Sequence, residues 1–190
     1  MRIIGRRHNN GKPAIVSLPR TPVANSAPMT NEIAENPADF STQARQMEQW
    51  WREGIPLVAA MDARIEKLDD QELIVCAPLE PNRNHMATAF GGSLLALATL
   101  TGWGIAKMLA GKAATHVVIQ SSQMKFLQPV NGQLRARCAW PNDRDRERFV
   151  RSLANRNRAR IDLEITLFSD TTPAGEFSGR FVALNDTGYG

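Results

Sequence analysis

Apolar and polar residues alternate most regularly between Arg158 and Ser169. Every second residue is apolar, and charged residues occupy most of the intervening positions of the first half. The apolar set is Ala159, Ile161, Leu163, Ile165 and Leu167, and the charged set is Arg158, Arg160, Asp162 and Glu164. Successive side chains of a strand point to opposite faces, so this pattern predicts a strand with one buried face and one solvent face.

Five other segments carry the shorter apolar runs that are typical of strands. They are Leu57–Leu68, Glu72–Pro78, Thr115–Leu127, Gln133–Trp140 and Glu176–Leu184. The turn 69–71 separates the first two. The charged stretch Asp143–Asn157 connects the strand that ends at Trp140 to the one that begins at Arg158.

Two segments have helical patterns of different kinds. Ser93–Leu109 is apolar on most of its sides, which predicts a helix buried within a domain and closed by Gly111. Thr42–Glu53 carries its large apolar residues on one side, which predicts a short amphipathic helix. The resulting order is helix, two strands, long buried helix and four strands.

This order predicts an α+β fold in which a long antiparallel sheet wraps around one apolar helix. That arrangement is the hotdog architecture, whose domains usually pair their sheets into a dimer. An open α+β sandwich is the alternative. We assign residues 41–190 to the hotdog domain. Residues 1–40, which are rich in Pro, Asn, Ser and Thr and have no period, are assigned to a disordered extension.

The net charge of +4 is concentrated in the extension. Residues 1–31 hold five basic groups and no acidic one, which leaves 18 basic and 19 acidic groups in the rest of the chain. The predicted domain is therefore nearly neutral, and only Phe149 interrupts its arginine-rich stretch as an aromatic residue. These features argue against a nucleic-acid-binding protein.

The cysteines and the longest apolar segment bear on the compartment. Cys76 and Cys138 each lie in a strand-like apolar stretch with no secretory signal ahead of them, so we interpret them as reduced core residues, with no metal site. No run approaches 18 uninterrupted apolar residues, so we expect no membrane-spanning helix. We therefore expect a cytoplasmic protein. The basic extension also suggests an organelle transit peptide, although its prolines disrupt an amphipathic helix.

The segment from Pro81 to Leu94 contains the most informative residues. Gly91 and Gly92 at the start of the buried helix leave backbone N–H groups unobstructed, in the positive potential of the helix dipole. Such groups can hold a thioester oxygen and stabilise it as it becomes anionic. The alternative is that the two glycines only permit close packing of the helix.

The residues Asn84…Thr88-Ala89-Phe90-Gly91-Gly92-Ser93-Leu94, with Trp103-Gly104 further along, resemble the YiiD-type C-terminal thioesterase-like family, a branch of the hotdog superfamily. The resemblance covers about residues 42–185. It implies an enzyme acting on acyl thioesters of coenzyme A or acyl carrier protein, with no other cofactor. It also implies a homodimer.

The chain departs from the wider hotdog thioesterases at two positions. Those enzymes often show an Asn, then His-Gly-Gly, then an Asp or Glu on the buried helix. This chain keeps Asn84, has Phe90 in place of the His, and has Thr99 where the acid is expected. No Asp or Glu occurs from Pro81 to Pro141.

The missing acid separates two reactions. Hydrolysis needs a base to activate water, and a threonine hydroxyl cannot serve as one at neutral pH without a neighbouring base. Decarboxylation of a malonyl thioester needs only donors that stabilise an enolate. The resemblance extends to malonyl-acyl-carrier-protein decarboxylases, which supply acetyl primers for fatty-acid synthesis. We therefore expect that activity, with Asn84 and Thr99 as the catalytic pair. Acyl-thioester hydrolysis and a non-catalytic acyl- or carrier-binding module are the alternatives.

Further residues are candidates for supporting roles. His85, Thr88, Phe90, Ser121 and Ser122 are candidates for the pocket lining, although strand alternation allows at most one of the two serines to face it. The arginine-rich stretch is a candidate for contact with coenzyme A phosphates or the acidic face of a carrier protein. Its members in this role are Arg144, Arg146, Arg148 and Arg151. A solvated, internally paired surface is the alternative.

Overall fold

A computed structural model describes residues 37–114 and 116–185, which form one antiparallel sheet and four helices. The helices are α1 (Pro37–Gly54), α2 (Pro56–Met61), α3 (Gly91–Ala110) and α4 (Asp143–Arg156). The strands are β1 (Arg64–Leu68), β2 (Glu72–Ala77), β3 (His116–Phe126), β4 (Leu134–Ala139), β5 (Arg158–Ser169) and β6 (Thr172–Leu184).

The six strands are ordered β1-β2-β4-β5-β6-β3, and every neighbouring pair is antiparallel. Helix α3 packs against β2, β3, β4, β5 and β6, so the sheet curves around it. Strands β1 and β3 form the two edges of the sheet. The α+β fold with an antiparallel sheet around a long buried helix is therefore confirmed.

The core lies between α3 and the concave face of the sheet. All five apolar residues of the alternating set on β5 are buried, as the pattern predicts. Helix α3 approaches β6 closely at Gly102, where an added Cβ atom would lie 2.5 Å from the Cζ atom of Phe181. Phe181 is fully buried, so the small residue at position 102 sets the distance between helix and sheet.

The apolar character of α3 is explained by this position. The helix is long and apolar enough to cross a membrane by length and composition, but 61% of the relevant window is buried inside the protein. Its apolar residues contact the sheet, as in the core helix of a globular domain. The described cysteines are both free, with Cys138 buried and Cys76 half-buried. Burial raises the pKa of the Cys138 thiol to about 12.

The predicted strand Leu57–Leu68 is wrong in its first half. Residues 56–61 form helix α2, and only Arg64–Leu68 is extended. A short apolar run fits a buried strand or a helix equally well by periodicity. Here Pro56 stands in the first turn of the helix, where its fixed φ is favourable, and Asp62 ends the helix with a φ of 51°.

The charged stretch Asp143–Asn157 contains helix α4, which sequence reasoning did not predict. Only Phe149 and Leu153 of this helix are buried, one turn apart. The side chain of Asn142 accepts a hydrogen bond of 3.0 Å from the N–H of Asp145 and caps the first turn. Two apolar residues among many charged ones give only a weak helical pattern in the sequence.

The predicted extension, residues 1–40, lies outside the described residues except for its last four. Those four residues form the first turn of α1. The amphipathic helix predicted for Thr42–Glu53 is confirmed within α1, whose Met47 and Trp51 are fully buried.

Candidate active site

The loop before α3 is organised around the side chain of Asn84. Its Nδ2 group donates to Thr88 Oγ1 at 2.9 Å and to the Ala89 carbonyl at 3.3 Å. Its Oδ1 atom accepts from the N–H groups of Met86 (2.8 Å) and Thr88 (3.3 Å). Both ends of the Asn84 amide therefore hold the loop in shape. Thr88, a predicted pocket residue, belongs to this network.

Asn82 attaches the same loop to the body of the domain. It is buried, and its Nδ2 group donates to the carbonyls of Met61 (2.9 Å) and Pro78 (2.8 Å). The backbone carbonyl of Asn82 accepts a hydrogen bond of 2.7 Å from the N–H of Phe90, the residue directly before α3. Sequence reasoning did not assign Asn82 a role. The sequence motif Pro-Asn-x-Asn, which places two asparagines in one loop, was the signal that could have indicated a role for Asn82.

Helix α3 begins without a side-chain cap. The Phe90 carbonyl accepts from Ser93 N–H (2.9 Å) and Leu94 N–H (3.1 Å). Among the described residues, no acceptor is hydrogen-bonded to the N–H groups of Gly91 and Gly92. Gly92 is exposed, and the first turn carries no acid. These two N–H groups remain available to an oxygen atom of a ligand.

The Phe90 ring lies over Gly92. A Cβ atom at Gly92 would lie 2.3 Å from Phe90 Cε1, and the ring itself is 57% exposed. The ring of Phe126, at the end of β3, lies against Gly91 and is exposed to the same extent. Two aromatic rings thus flank the glycines and form an apolar entrance to the helix start.

Thr99 lies on the same face of α3 as Gly92. A separation of seven residues corresponds to two helical turns and about 10 Å along the axis. Thr99 is half-buried, and its hydroxyl makes no hydrogen bond with any residue in the described ranges. By contrast, the Thr101 hydroxyl is fully buried and donates to the Leu97 carbonyl at 2.8 Å. The Thr99 hydroxyl is therefore available to a ligand.

The uncovered stripe of α3 also includes Leu95, an exposed residue between Gly92 and Thr99. Sequence reasoning did not single out Leu95, although its spacing of three and four residues from Gly92 and Thr99 indicated a shared face. We call this set, Gly92, Leu95 and Thr99, the open stripe. It joins the Asn84 loop to the middle of the helix.

The remaining pocket candidates lie in more exposed positions. His85 is exposed beside Asn84 in the loop. Ser121 and Ser122 are both exposed on β3 and border a shallow polar groove with Asp162 and Arg180 on the outer part of the sheet. Within one chain, the two serines are thus grouped with charged residues of β5 and β6 rather than with the Asn84 loop.

Three of the four predicted phosphate- or carrier-contacting arginines share one groove of about 950 Å³ between α4 and the adjoining strands. We call it the arginine groove. It is lined by Arg144, Arg148, Arg151, Arg156, Arg158, Arg160 and Arg180, together with Glu147 and Asp162. Arg146 lies elsewhere, 5.9 Å over the ring of Trp140. Sequence reasoning missed Arg180, which is distant in the chain.

The acids of the arginine groove pair with its arginines. Asp162 accepts hydrogen bonds from Arg180 at 2.7 and 2.8 Å. These bonds lower the pKa of the Asp162 carboxyl below its ordinary value. The Asp162 carboxyl therefore stays ionised at neutral pH.

The chain is similar to a family of known proteins over most of its length. Residues 44–185 match the family model described as "Putative thioesterase (yiiD_Cterm)". This range includes the Asn84 loop, the open stripe and the arginine groove.

Solved structures with the same architecture come from several bacteria. A protein with unknown function from Chlorobaculum tepidum TLS is 30% identical, with a TM-score of 0.73, covering 77% of this chain and 97% of its own. A thioesterase described as putative, from Shewanella oneidensis, is 29% identical, with a TM-score of 0.63 and coverages of 74% and 96%. A protein of unknown function from Pseudomonas aeruginosa, described as a probable thioesterase, is 20% identical with a TM-score of 0.65, covers 76% and 95%, and shows the fold alone.

Proposed function

The chain belongs to the YiiD C-terminal family of thioesterase-like hotdog proteins, and from this premise we propose that it decarboxylates malonyl-acyl carrier protein to acetyl-acyl carrier protein. The observation that carries the proposal is the chemistry of the open stripe. It offers free N–H and hydroxyl donors, and neither α3 nor the loop before it from residue 81 contains an acid.

The reaction needs only donors at the helix start. The bond between the malonyl C2 atom and its carboxylate breaks, and its electron pair moves into the thioester to form an enolate. CO₂ leaves, and a proton from solvent then adds to C2 to give the acetyl thioester. In this scheme the N–H groups of Gly91 and Gly92 stabilise the thioester oxygen as it becomes anionic. No metal or further cofactor takes part in this scheme.

Thr99 and Asn84 complete the proposed site. The free Thr99 hydroxyl is proposed to donate to the substrate carboxylate or the enolate oxygen. The Asn84 amide is proposed to contribute its Nδ2 group, whose 3.3 Å bond to the Ala89 carbonyl is long and can be exchanged for one to a substrate oxygen. Catalytic hydrogen bonds often tighten only when substrate is bound.

An acid on the stripe would oppose this chemistry. Two like charges about 4 Å apart repel by about 4 kcal/mol at an effective dielectric constant near 20. A carboxylate at position 99 would therefore weaken the binding of the malonyl carboxylate. Threonine at that position supplies a donor without this repulsion.

Hydrolysis of acyl thioesters is the second candidate. It is favoured by the family description and by one feature of the loop, the exposed imidazole of His85 next to Asn84. Histidine is the side chain that most often serves as a general base in enzymes. In this scheme His85 activates the water that the open stripe itself cannot deprotonate.

We further propose that two copies of the chain pair through β3. This strand is a long edge strand, and it exposes Val118 and Phe126. An unpaired edge of this length readily accepts another strand. Pairing about a twofold axis is antiparallel and would cover the edge and bring the second copy next to the Phe126 ring at the helix start.

The test uses malonyl-acyl carrier protein as substrate for the full chain. Decarboxylation gives CO₂ and an intact acetyl thioester on the carrier, which intact-protein mass spectrometry identifies. Hydrolysis gives the free carrier thiol and retains the carboxylate in malonate. Release of free thiol without CO₂ would refute the proposed decarboxylase and support the hydrolase.

A further inference from the structure

The arginine groove lies where helix α4 packs beside the part of β5 that is not paired with β4. Strand β4 pairs with β5 only at residues 166–169, so within residues 37–114 and 116–185 no strand pairs with the first half of β5 on that side. Helix α4 packs there through Phe149 and Leu153. The Ser152 hydroxyl donates to the Arg158 carbonyl at 2.9 Å and ties the helix to the strand. The arginines of both elements are thereby held around one groove.

Much of the positive charge in the groove is not neutralised. Arg148, Arg151 and Arg180 pair with Asp145, Glu147 and Asp162 at 3.1, 3.8 and 2.7 Å. Arg144, Arg156 and Arg158 make no ion pair with the part of the chain that the structure describes. Counting Asp145 with the two lining acids, seven arginines against three acids leave an excess of four positive charges. A large single-sign surface of this kind attracts an acidic partner.

The arrangement fits an extended acidic surface better than a single phosphate group. From Arg144 to Arg156 the helix rises by about 18 Å. The strand residues Arg158 and Arg160 continue the charged surface on the neighbouring element. A phosphate is bound by donors that converge on one point, whereas these guanidinium groups are exposed and spread along a line. None of the described residues that line the groove is aromatic, so the groove offers no ring on which a nucleic-acid base would stack.

We infer that the arginine groove binds the acidic helix of the carrier protein that presents the thioester. This inference rests on the proposed function, because it names the macromolecule that delivers its substrate. Charge complementarity supports it: a helix with acids on one face matches the row of arginines in both sign and length. Such contacts increase the association rate and fix the orientation of the partner.

The position of the groove agrees with the proposed dimer. Within one chain the groove and the helix start lie at opposite ends of β5. Phe126, which lies at the helix start, is aligned across the sheet with Gly175 and Leu167. Val118, at the other end of β3, is aligned with Val182 and with Arg160 of the groove. The seven steps from residue 160 to residue 167 span roughly 23 Å of strand. Antiparallel pairing of β3 reverses the direction of the second copy. In the proposed pair, the end of β3 at the level of one copy's groove is thus aligned along the strands with the helix-start end of β3 in the other copy.

The inference is tested with the double variant Arg156→Gln/Arg158→Gln in the full chain. A matched control, Arg45→Gln/Arg64→Gln, removes the same two charges from exposed positions on α1 and β1. The measurements are the Kd of fluorescently labelled holo-acyl carrier protein by anisotropy, and kcat/KM with malonyl-acyl carrier protein, malonyl-coenzyme A and malonyl-pantetheine. Thermal unfolding confirms that each variant is folded.

We expect the groove variant to raise the Kd for holo-acyl carrier protein about tenfold, and the control to change it by less than about twofold. Turnover of malonyl-pantetheine, which has neither carrier nor nucleotide, should be unchanged. The Kd requires no turnover, so a protein that binds the carrier through the groove but does not decarboxylate it refutes only the proposed function.

Four results would overturn the inference. One is an unchanged Kd in the groove variant, and another is an equal loss in the control. The third is a selective loss of malonyl-coenzyme A turnover with unaltered carrier binding, which would assign the groove to the nucleotide phosphates. Tighter binding of a single-stranded RNA oligonucleotide than of the carrier, lost in the groove variant, would likewise refute it.

Discussion

The Nδ2 group of Asn84 donates a hydrogen bond of 2.9 Å to the Oγ1 atom of Thr88 and closes the loop that leads into α3. This bond separates two possible roles of Asn84, because it is made to a side chain that can be changed independently. If Asn84 acts only through this one bond, removing its side-chain partner should affect activity as much as removing Asn84 itself.

Asn84→Ala is expected to lower kcat by about 100- to 1000-fold, the range measured for the loss of one oxyanion donor elsewhere. Thr88→Val keeps the volume of the side chain and removes only the acceptor, and it should lower kcat by less than about tenfold. Steady-state kinetics with malonyl-acyl carrier protein measures both. Equal losses in the two variants would reduce Asn84 to a structural residue.

Thr99 and Thr101 form a matched pair on one helix. Thr99→Val removes a free, half-buried hydroxyl and is expected to lower kcat by about 10- to 1000-fold with little change in stability. Thr101→Val removes a hydroxyl that donates to the Leu97 carbonyl, whose backbone hydrogen bond remains, and it should leave kcat within about twofold. Normal turnover by Thr99→Val would exclude Thr99 from the site.

Which of these two hydroxyls is free was not predictable from the sequence alone. The sequence drew attention to Thr99 through the absence of an acid at this position and through the family resemblance. Neither feature indicates whether a threonine hydroxyl is hydrogen-bonded. Thr101 bonds to its own helix because it faces the core, while Thr99 faces away from the sheet. The direction of each side chain depends on how α3 packs, which is a property of the whole fold.

The fold was predictable where periodicity is strong. The boundaries of β5 and the buried character of α3 follow directly from their apolar patterns. Helices α2 and α4 were missed because five apolar residues after Pro56 resemble a strand, and because two apolar residues among many charges give a weak signal. The grouping of Arg180 with the arginines of α4 depends on the pairing of β5 with β6, which sequence spacing does not reveal.

Gly102→Ala is expected to destabilise the domain. The added Cβ atom would lie 2.5 Å from Cζ of Phe181, which is fully buried and cannot move away. Overpacking of this kind costs about 1–3 kcal/mol, against a gain of about 1 kcal/mol in helix propensity. Gly92→Ala is the control, because the exposed Phe90 ring can move aside. Urea unfolding measures both, and a Gly102→Ala variant as stable as wild type would contradict the packing.

Stability should depend on the ionisation of Glu72. This buried carboxylate accepts a hydrogen bond from Lys67 at 2.8 Å and another from Arg137, and these bonds lower its pKa below the ordinary value of 4.5. A lowered pKa stabilises the folded state at pH values above 4.5, and this stabilisation is lost as the pH falls through the folded-state pKa.

Glu72→Gln should therefore lower the free energy of unfolding by about 1–3 kcal/mol at pH 7. The difference from wild type should shrink as the pH falls below about 4.5. Glu80→Gln, at an exposed position, is the control and should change the free energy little at any pH. Urea unfolding at pH 7 and pH 3.5 provides the comparison, and a difference that does not depend on pH would refute the ionic role of Glu72.

The proposed dimer predicts a specific effect of charge on β3. Val118 is 47% exposed on this edge strand, and in a twofold antiparallel pair each copy contributes the same substitution to the interface. Val118→Lys places two like charges in the interface and adds a residue that discourages edge pairing. We expect the Val118→Lys variant to be a monomer and to have lost activity. Size-exclusion chromatography with light scattering measures the oligomeric state. Leu57→Lys, which changes another exposed apolar residue, on α2, should leave both the oligomeric state and the activity unaltered. A wild-type chain that is monomeric at the concentrations of the assay and fully active would refute the pairing, because the edge would then be dispensable to the site.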